Sequence, residues 1–171
     1  MNIYLICGKA GSGKNEVANY LADRMENTVI TAFSKYIKQF ALELTDWDGT
    51  DSHKPRKFLQ EMGDNLRAID ENFLTKRMAE DIKVYASQGI ENVIISDVRL
   101  LREIEYFKKM KEYNVITIRV NSEVSKRVLT EEQKHHHTEI ELDNYKGYDF
   151  VINNAFDRSL YLEVDKILEG R

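Results

Sequence analysis

The sequence is poor in the residues that mark secreted, disordered or membrane-spanning chains. It has a single cysteine, Cys7, so an internal disulfide is excluded and a reducing, cytoplasmic setting is expected. One proline leaves little room for linkers, and no apolar run approaches the roughly 20 residues that span a bilayer. The first residues lack the basic flank and cleavage site of a signal peptide. An excess of basic residues is also missing: the net charge of −4 argues against general nucleic-acid binding. We therefore expect neither a membrane nor a nucleic acid as partner.

Short apolar or β-branched runs alternate with helical patterns along the whole chain. The runs predict five strands: Asn2–Cys7, Thr28–Phe33, Asn92–Ser96, Val115–Val120 and Asp149–Ile152. Between them, apolar residues recur at spacings of three and four, which predicts helices. Strands separated by helices indicate an α/β fold with three layers and a mainly parallel five-stranded sheet. At 171 residues, one domain covering 1–171 accounts for the pattern.

A glycine-rich motif follows the first predicted strand. It is Gly-Lys-Ala-Gly-Ser-Gly-Lys-Asn at 8–15, the P-loop pattern except for its last position, and an amphipathic helix follows it. Glycines let backbone N–H groups curl around a polyphosphate, and the lysine follows charge on the β- and γ-phosphates. The alternative is a tight turn with an incidental lysine. The motif predicts ATP binding by Gly8, Ala10, Gly11, Ser12, Gly13, Lys14, Asn15 and Glu16.

Magnesium is expected beside this loop. Asn15 stands where a Ser or Thr hydroxyl ordinarily ligates Mg²⁺, so the metal needs another anion. Asp97 ends the third predicted strand, at the sheet edge where ligands bind in parallel sheets, and is expected to hold Mg²⁺ through water. Arg99 is expected to neutralise phosphate charge there. The alternative is that Asp97 caps a helix starting near Arg99.

A helical segment with a basic start occupies residues 53–67. Arg56, Gln60 and Arg67 are spaced so that they can share one side of that helix, and arginine forks bind phosphate. A solvated charged face is the competing interpretation. Further on, His135, His136 and His137 do not predict a zinc site. Side chains of consecutive residues in a helix or strand point in different directions. In addition, no cysteine or acidic ligand pattern surrounds the three histidines in the sequence.

With these pieces in place, the chain resembles the bacteriophage-type deoxynucleoside monophosphate kinases, P-loop kinases related to phosphomevalonate kinase. The matching segments are Gly8–Val17, Lys54–Gly63 with Arg67 beyond, Val-Ile-Ile-Ser-Asp-Val-Arg at 93–99 with Glu103 following, His-His-Thr-Glu at 136–139, and Tyr148–Asn154. That family has an acidic residue rather than a hydroxyl after the P-loop lysine, so Asn15 fits it better than an ordinary ATPase. The Ser-Lys-Tyr segment at 34–36 departs from the family's Ala-Asp-Pro, which leaves base preference open.

The resemblance implies an adenylate-kinase-like architecture with an acceptor-binding helical segment at about 34–88 and a lid at about 121–146. It implies that Lys38, Arg56, Gln60 and Arg67 hold the acceptor nucleotide, that the lid uses His136, Thr138 and Glu139, and that a lid arginine acts in catalysis. Arg119 and Arg127 are the available arginines, and Arg127 lies inside the predicted lid.

The reaction implied is transfer of the γ-phosphoryl group of ATP·Mg²⁺ to a (deoxy)nucleoside 5′-monophosphate. Lys14, Asp97, Arg99 and Arg127 are the expected catalytic residues. Two alternatives stay open: a kinase for another small phosphorylated acceptor, such as phosphomevalonate or dephospho-coenzyme A, and a non-catalytic nucleotide-binding regulator. The sequence also leaves open whether the protein forms a homodimer.

Overall fold

Five parallel strands form the central sheet of the protein. The computed structural model describes residues 1–123, 130–131 and 135–170. The strands are β1 (Asn2–Cys7), β2 (Thr28–Thr31), β3 (Asn92–Val98), β4 (Asn114–Asn121) and β5 (Phe150–Asn153). They lie in the order β2-β3-β1-β4-β5, and every neighbouring pair is parallel. The predicted α/β fold with a five-stranded sheet is confirmed.

Helices cover both faces of this sheet. The described part of the chain contains α1 (Lys14–Asp23), α2 (Ser34–Leu44), α3 (Arg56–Ile69), α4 (Phe73–Ser87), α5 (Leu101–Lys108), α6 (His137–Ile140) and α7 (Ser159–Glu169). Successive side chains of β1 point to opposite faces. Tyr4 and Ile6 therefore join a buried cluster with α1 and α7, while Ile3 and Leu5 join a second cluster with α2, α4 and α5. The three layers expected from the sequence result.

The second strand is shorter than predicted, and the third is longer. β2 ends at Thr31 rather than Phe33, because the backbone N–H groups of Phe33 and Ser34 donate to the Asp97 carboxylate and the chain turns into α2. β3 continues past Ser96 to Val98 and so carries Asp97 within the strand. The sequence alone does not reveal this contact, since it joins residues 63 and 64 positions apart.

The carboxyl ends of the parallel strands lie along one edge of the sheet, where open α/β sheets bind their ligands. Helices α2 to α4 fall within the predicted acceptor-binding segment 34–88, and α6 falls within the predicted lid 121–146. Arg127, the predicted lid arginine, lies outside the described residues. Among the helices described, none combines the length and apolar character needed to cross a bilayer.

Candidate active site

The loop between β1 and α1 has the backbone that only glycines permit. Gly8 and Gly13 have φ angles of 152° and 96°. A Cβ at Gly8 would lie 2.5 Å from the carbonyl oxygen of Val120, and one at Gly13 would collide with the side chain of Asn154. Side chains at either position would therefore push the loop off the sheet edge. The predicted P-loop segment is thus a tight glycine turn seated against β4 and the residues after β5.

Lys14 and Ser12 place polar groups inside this loop. The Lys14 side chain is buried, and its Nζ donates to the carbonyl oxygens of Gly8 and Lys9, 2.7 Å from each. The Ser12 hydroxyl is also buried, and it has no hydrogen-bond partner among the residues that the structure describes. A buried hydroxyl without a partner is costly, and a phosphate oxygen would satisfy it. The loop therefore has the chemistry of an anion site.

A carboxylate from α6 already contacts this anion site. One oxygen of Glu139 accepts from the backbone N–H of Ala10 at 2.9 Å, and the other accepts from the guanidinium of Arg99. Residue 10 is 129 positions from Glu139, so the predicted lid segment folds back onto the P-loop. The side chain of Glu139 is 10% exposed. The Glu139 carboxylate thus contacts two groups that are expected to bind phosphate.

The sequence analysis gave no role to Asn154, which fixes the loop from behind. Its amide nitrogen donates to the carbonyl oxygen of Ser12 at 2.9 Å, and its carbonyl oxygen accepts from the backbone of Phe156 at 2.8 Å. The side chain is buried at 4% exposure. The only sequence signal was an asparagine pair directly after the last strand. Asn154 is a positioning residue for the P-loop.

Asp97 lies beside the P-loop and caps a helix other than the predicted one. Its two oxygens accept from the backbone N–H groups of Phe33 and Ser34 at 2.8 and 2.9 Å, so it caps α2. The start of α5 is instead capped by Glu103 and Glu141. A carboxylate has about four acceptor positions, so both oxygens can still accept from water. The side chain also lines the cavity and therefore fits a hydrated Mg²⁺ held through water.

Glu103 is a buried carboxyl group beneath the same edge. Its Oε2 accepts from the backbone N–H groups of Arg99 and Leu100 at 2.8 and 3.0 Å. Burial raises the pKa of Glu103 to about 7 despite these two hydrogen bonds, and the nearby charge of Asp97 raises it further. Glu103 thus holds the backbone that carries Arg99, with a charge that changes near neutral pH.

The predicted acceptor residues line the same cavity as the P-loop. The cavity has a volume of about 1030 Å³ and is lined by Lys38, Arg56, Gln60 and Arg67, together with Lys14, Asp97, Arg99 and Ala10, Gly11, Gly13, Asn15 and Glu16. Gly8 and Ser12 lie behind this lining. The structure therefore brings the described donor-side and acceptor-side residues predicted from the sequence to one cavity, which is large enough for two small ligands.

Two further sequence features turn away from this cavity. Lys35 pairs with Asp81 of α4 at 2.5 Å, and the Tyr36 hydroxyl donates to the same carboxylate at 2.8 Å, so only Ser34 of the segment 34–36 lines the cavity. Arg119 lies on β4, where its guanidinium packs over the Tyr148 ring and reaches Asp143 at 3.4 Å. Arg119 is not among the cavity-lining residues in the described ranges.

Comparison with known proteins gives relatives of two kinds. A viral protein, the uncharacterized protein ORF77 of Ictalurid herpesvirus 1 (strain Auburn), is 29% identical over an alignment of 152 residues that covers 86% of this chain. The chain spans 62% of the length of that relative. A shikimate kinase from Bacteroides thetaiotaomicron superposes with a TM-score of 0.50 at 14% identity, covering 98% of this chain and 97% of that one. A sugar kinase from Janibacter sp. HTCC2649 has a TM-score of 0.49 at 13% identity, covering 99% of this chain and 93% of that one.

These likenesses establish different things. At 14% identity, the similarity to shikimate kinase concerns the fold alone, and it agrees with the three-layer P-loop kinase fold described above. A family model described as AAA domain matches residues 5–148, which include the P-loop, Asp97, Arg99 and Glu139. Because this match covers most of the chain, the protein belongs to the AAA domain family.

Proposed function

We propose that this protein transfers the γ-phosphoryl group of ATP to a (deoxy)nucleoside 5′-monophosphate and releases ADP and the diphosphate. The observation that carries the proposal is the arrangement of one cavity. The P-loop residue Lys14 and the α3 side chains of Arg56, Gln60 and Arg67 all line this cavity. Arginine forks bind phosphate in a bidentate manner, and a glutamine amide can hydrogen-bond to a base or sugar.

The chain's own residues divide the work of phosphoryl transfer. The P-loop and Lys14 would bind the ATP phosphates, with the ammonium leaving the carbonyls of Gly8 and Lys9 for phosphate oxygens. Arg99 would stabilise charge on the transferring group, and Arg127 is proposed for the same task from the lid. An oxygen of the acceptor phosphate attacks the γ-phosphorus, a P–O bond forms, and the bond to the β-phosphate bridging oxygen breaks.

Magnesium fits this site through Asp97. Asp97 and Asn15 would hold the ion, which would supply positive charge against the negative charge of the phosphates. Asp97 would accept hydrogen bonds from water on the ion while keeping its contacts to α2, and Asn15 would offer a carbonyl oxygen from the P-loop side. Arg56 and Arg67 would orient the acceptor phosphate for in-line attack. Positioning and charge then supply most of the rate, since the protein contributes little covalent chemistry.

An acceptor screen tests the proposal. The protein is incubated with ATP and Mg²⁺ and with each common NMP and dNMP, and the products are separated by chromatography. Phosphomevalonate, dephospho-coenzyme A and shikimate are included as other acceptors. We expect a nucleoside diphosphate from at least one nucleotide. Lys14→Ala should lower kcat by about 10²-fold or more, because it removes a charge that follows the phosphoryl group.

The matched control is Lys9→Ala. Lys9 lies in the same loop, but its side chain is half exposed and pairs with Asp143 at 2.7 Å, so kcat should change little. Product from a non-nucleotide acceptor alone would overturn the nucleotide assignment. ATP binding without transfer to any acceptor would instead favour a nucleotide-binding regulator. Equal activity of the Lys14→Ala and parent proteins would remove the P-loop from the mechanism.

A further inference from the structure

Two of the three consecutive histidines converge on one aspartate. Asp64 of α3 lies 72 and 73 residues away from His136 and His137 in the sequence. Its Oδ2 is 3.0 Å from Nε2 of His136, and its Oδ1 is 2.9 Å from Nε2 of His137. No cysteine or acidic ligand pattern surrounds these histidines in the sequence, which is why no metal site was predicted here. The fold supplies that ligand from a distant helix.

The backbone also removes the second sequence argument, which was that adjacent histidines diverge. His136 has an extended conformation, with φ −60° and ψ 136°, and α6 begins at the next residue. At this change of direction the two imidazole rings lie side by side, with centroids 4.6 Å apart. Adjacent histidines can therefore aim at one point because they do not belong to the same regular element.

We propose that Asp64, His136 and His137 form a binding site for a divalent cation of the zinc class. The three ligand atoms lie within 4.8 Å of one another. In a tetrahedral zinc site, ligands at about 2.0–2.2 Å from the ion lie roughly 3.4 Å apart, so small side-chain rotations suffice. Two imidazoles and one carboxylate are a known zinc donor set, with the fourth position open to water. The side chains of Asp64 and His137 are 40% and 44% exposed, so an ion and its water can reach them.

Groups around the ligands hold them in a metal-binding orientation. Nδ1 of His136 is 2.9 Å from the Thr138 hydroxyl and accepts from the Thr138 backbone N–H at 3.4 Å. Nδ1 of His137 faces the Glu141 carboxylate at 3.9 Å. Both Nε2 atoms are thus directed at Asp64. Arg67 donates to Oδ1 of Asp64 at 2.7 Å and so helps to fix the carboxylate.

A cation bound here would join α6 to α3, and so tie the segment bearing Glu139 to the helix bearing Arg67. The site does not depend on the reaction proposed above.

The test is direct metal binding without nucleotide. Untagged protein is stripped with chelator and titrated with Zn²⁺ by calorimetry and with Co²⁺ by visible absorption. We expect one ion per chain and the ligand-field bands of four-coordinate Co²⁺. Asp64→Asn and His137→Ala should each weaken binding by at least about tenfold, because even outer-shell losses cost that much. Circular dichroism of the metal-free variants verifies that they are folded, and His136→Gln is a second probe, at the partly buried ligand.

His135→Ala is the matched control. His135 belongs to the same run, but its ring contacts the carbonyl oxygen of Glu131 rather than Asp64, and its side chain is 76% exposed. Its removal should leave stoichiometry and affinity unchanged. Absence of saturable metal binding in the parent protein would overturn the proposal. Asp64, His136 and His137 would then serve only to join α3 and α6 by hydrogen bonds. Binding that survives in Asp64→Asn, or that is lost in His135→Ala, would assign the ion to the exposed histidine run and would equally overturn it.

Discussion

The carboxylate of Glu139 is held by the guanidinium of Arg99 at the mouth of the P-loop, with its second oxygen on the backbone N–H of Ala10. A negatively charged side chain thus binds the same kinds of donor that bind phosphate in P-loop proteins. ATP must displace this carboxylate or share its donors. The contact partly neutralises the positive charge of the site, so displacing Glu139 should have a measurable cost for nucleotide binding.

Replacing that carboxylate should strengthen ATP binding. In Glu139→Gln the charge that competes with phosphate is gone while the size of the side chain is kept. We expect the Kd for ATP, measured by titration without acceptor, to fall by about tenfold, or 1.4 kcal/mol. Glu141→Gln is the control, since Glu141 caps α5 through the backbone of Leu101 and does not reach the P-loop. Weaker ATP binding in Glu139→Gln would show that the carboxylate supports the nucleotide instead of competing with it.

Replacing Arg67 should weaken binding of the acceptor and leave binding of ATP unchanged. Arg67→Ala removes a largely buried guanidinium that lines the α3 end of the cavity. The KM for the acceptor should rise by an amount equivalent to about 2–4 kcal/mol, as for the loss of one partner of a buried charge pair. The Kd for ATP should stay constant. Lys57→Ala, on the same helix but 77% exposed, is the control. A collapse of ATP affinity in Arg67→Ala would place this residue on the donor side.

Asn15 and Asp97 should respond differently to substitution. Asn15→Thr restores the hydroxyl of an ordinary P-loop, and kcat/KM should stay within about tenfold of the parent, a window of 1.4 kcal/mol. Asp97→Asn should lower kcat/KM far more than Asn15→Thr does when both are titrated with Mg²⁺, because it removes the anion that orients water on the ion. An inactive Asn15→Thr beside an unaffected Asp97→Asn would locate the metal on the P-loop side.

The structure adds a second readout for Asp97. Because its carboxylate caps α2, Asp97→Asn should also lower the free energy of unfolding by about 1 kcal/mol. Urea titration of the ligand-free protein measures this loss separately from the Mg²⁺ effect. If stability falls while the Mg²⁺ dependence of kcat/KM is unchanged, Asp97 acts as a helix cap alone.

Glu103 should make stability depend on pH. Its pKa rises from 4.5 to about 7 on folding, mainly through burial, so the folded state binds the proton more tightly than the unfolded state. The stabilisation is fully present below about pH 4.5 and is lost as the pH rises through 7, a change of about 3 kcal/mol. The glutamine side chain of Glu103→Gln does not titrate. The free energy of unfolding of this variant should therefore rise relative to that of the parent protein, by most of this amount, between pH 5 and pH 8.

Urea unfolding of both proteins at several pH values measures this difference. Glu105→Gln, an exposed position on the same helix, should follow the parent profile. A constant difference between Glu103→Gln and the parent from pH 5 to pH 8 would mean that Glu103 is ionised in the folded protein at the lower pH.

Local pattern was sufficient to predict the individual strands and the P-loop, because each is signalled by residues close in sequence. The first 23 residues contain the apolar run of β1, the glycines after it and the amphipathic α1. A strand, a glycine motif and a helix in this order together predict a P-loop. The contacts that sequence reasoning missed all join distant positions. Asp97 shortens β2, Asp64 meets two histidines, and Glu139 reaches Ala10 across 129 residues. Periodicity contains no signal for such pairs, since each residue is polar and locally unremarkable.

The hydrogen bond from Asn154 to the carbonyl of Ser12 spans 142 residues. The P-loop is synthesised well before Asn154, which supports it and follows the last strand. Phosphate binding by the P-loop is therefore coupled to folding of the segment after β5. A nascent or truncated chain that ends before Asn154 would contain the whole glycine motif but would lack the hydrogen bond that holds it. A mutation in the β5–α7 connection would therefore be detected as a defect in nucleotide binding.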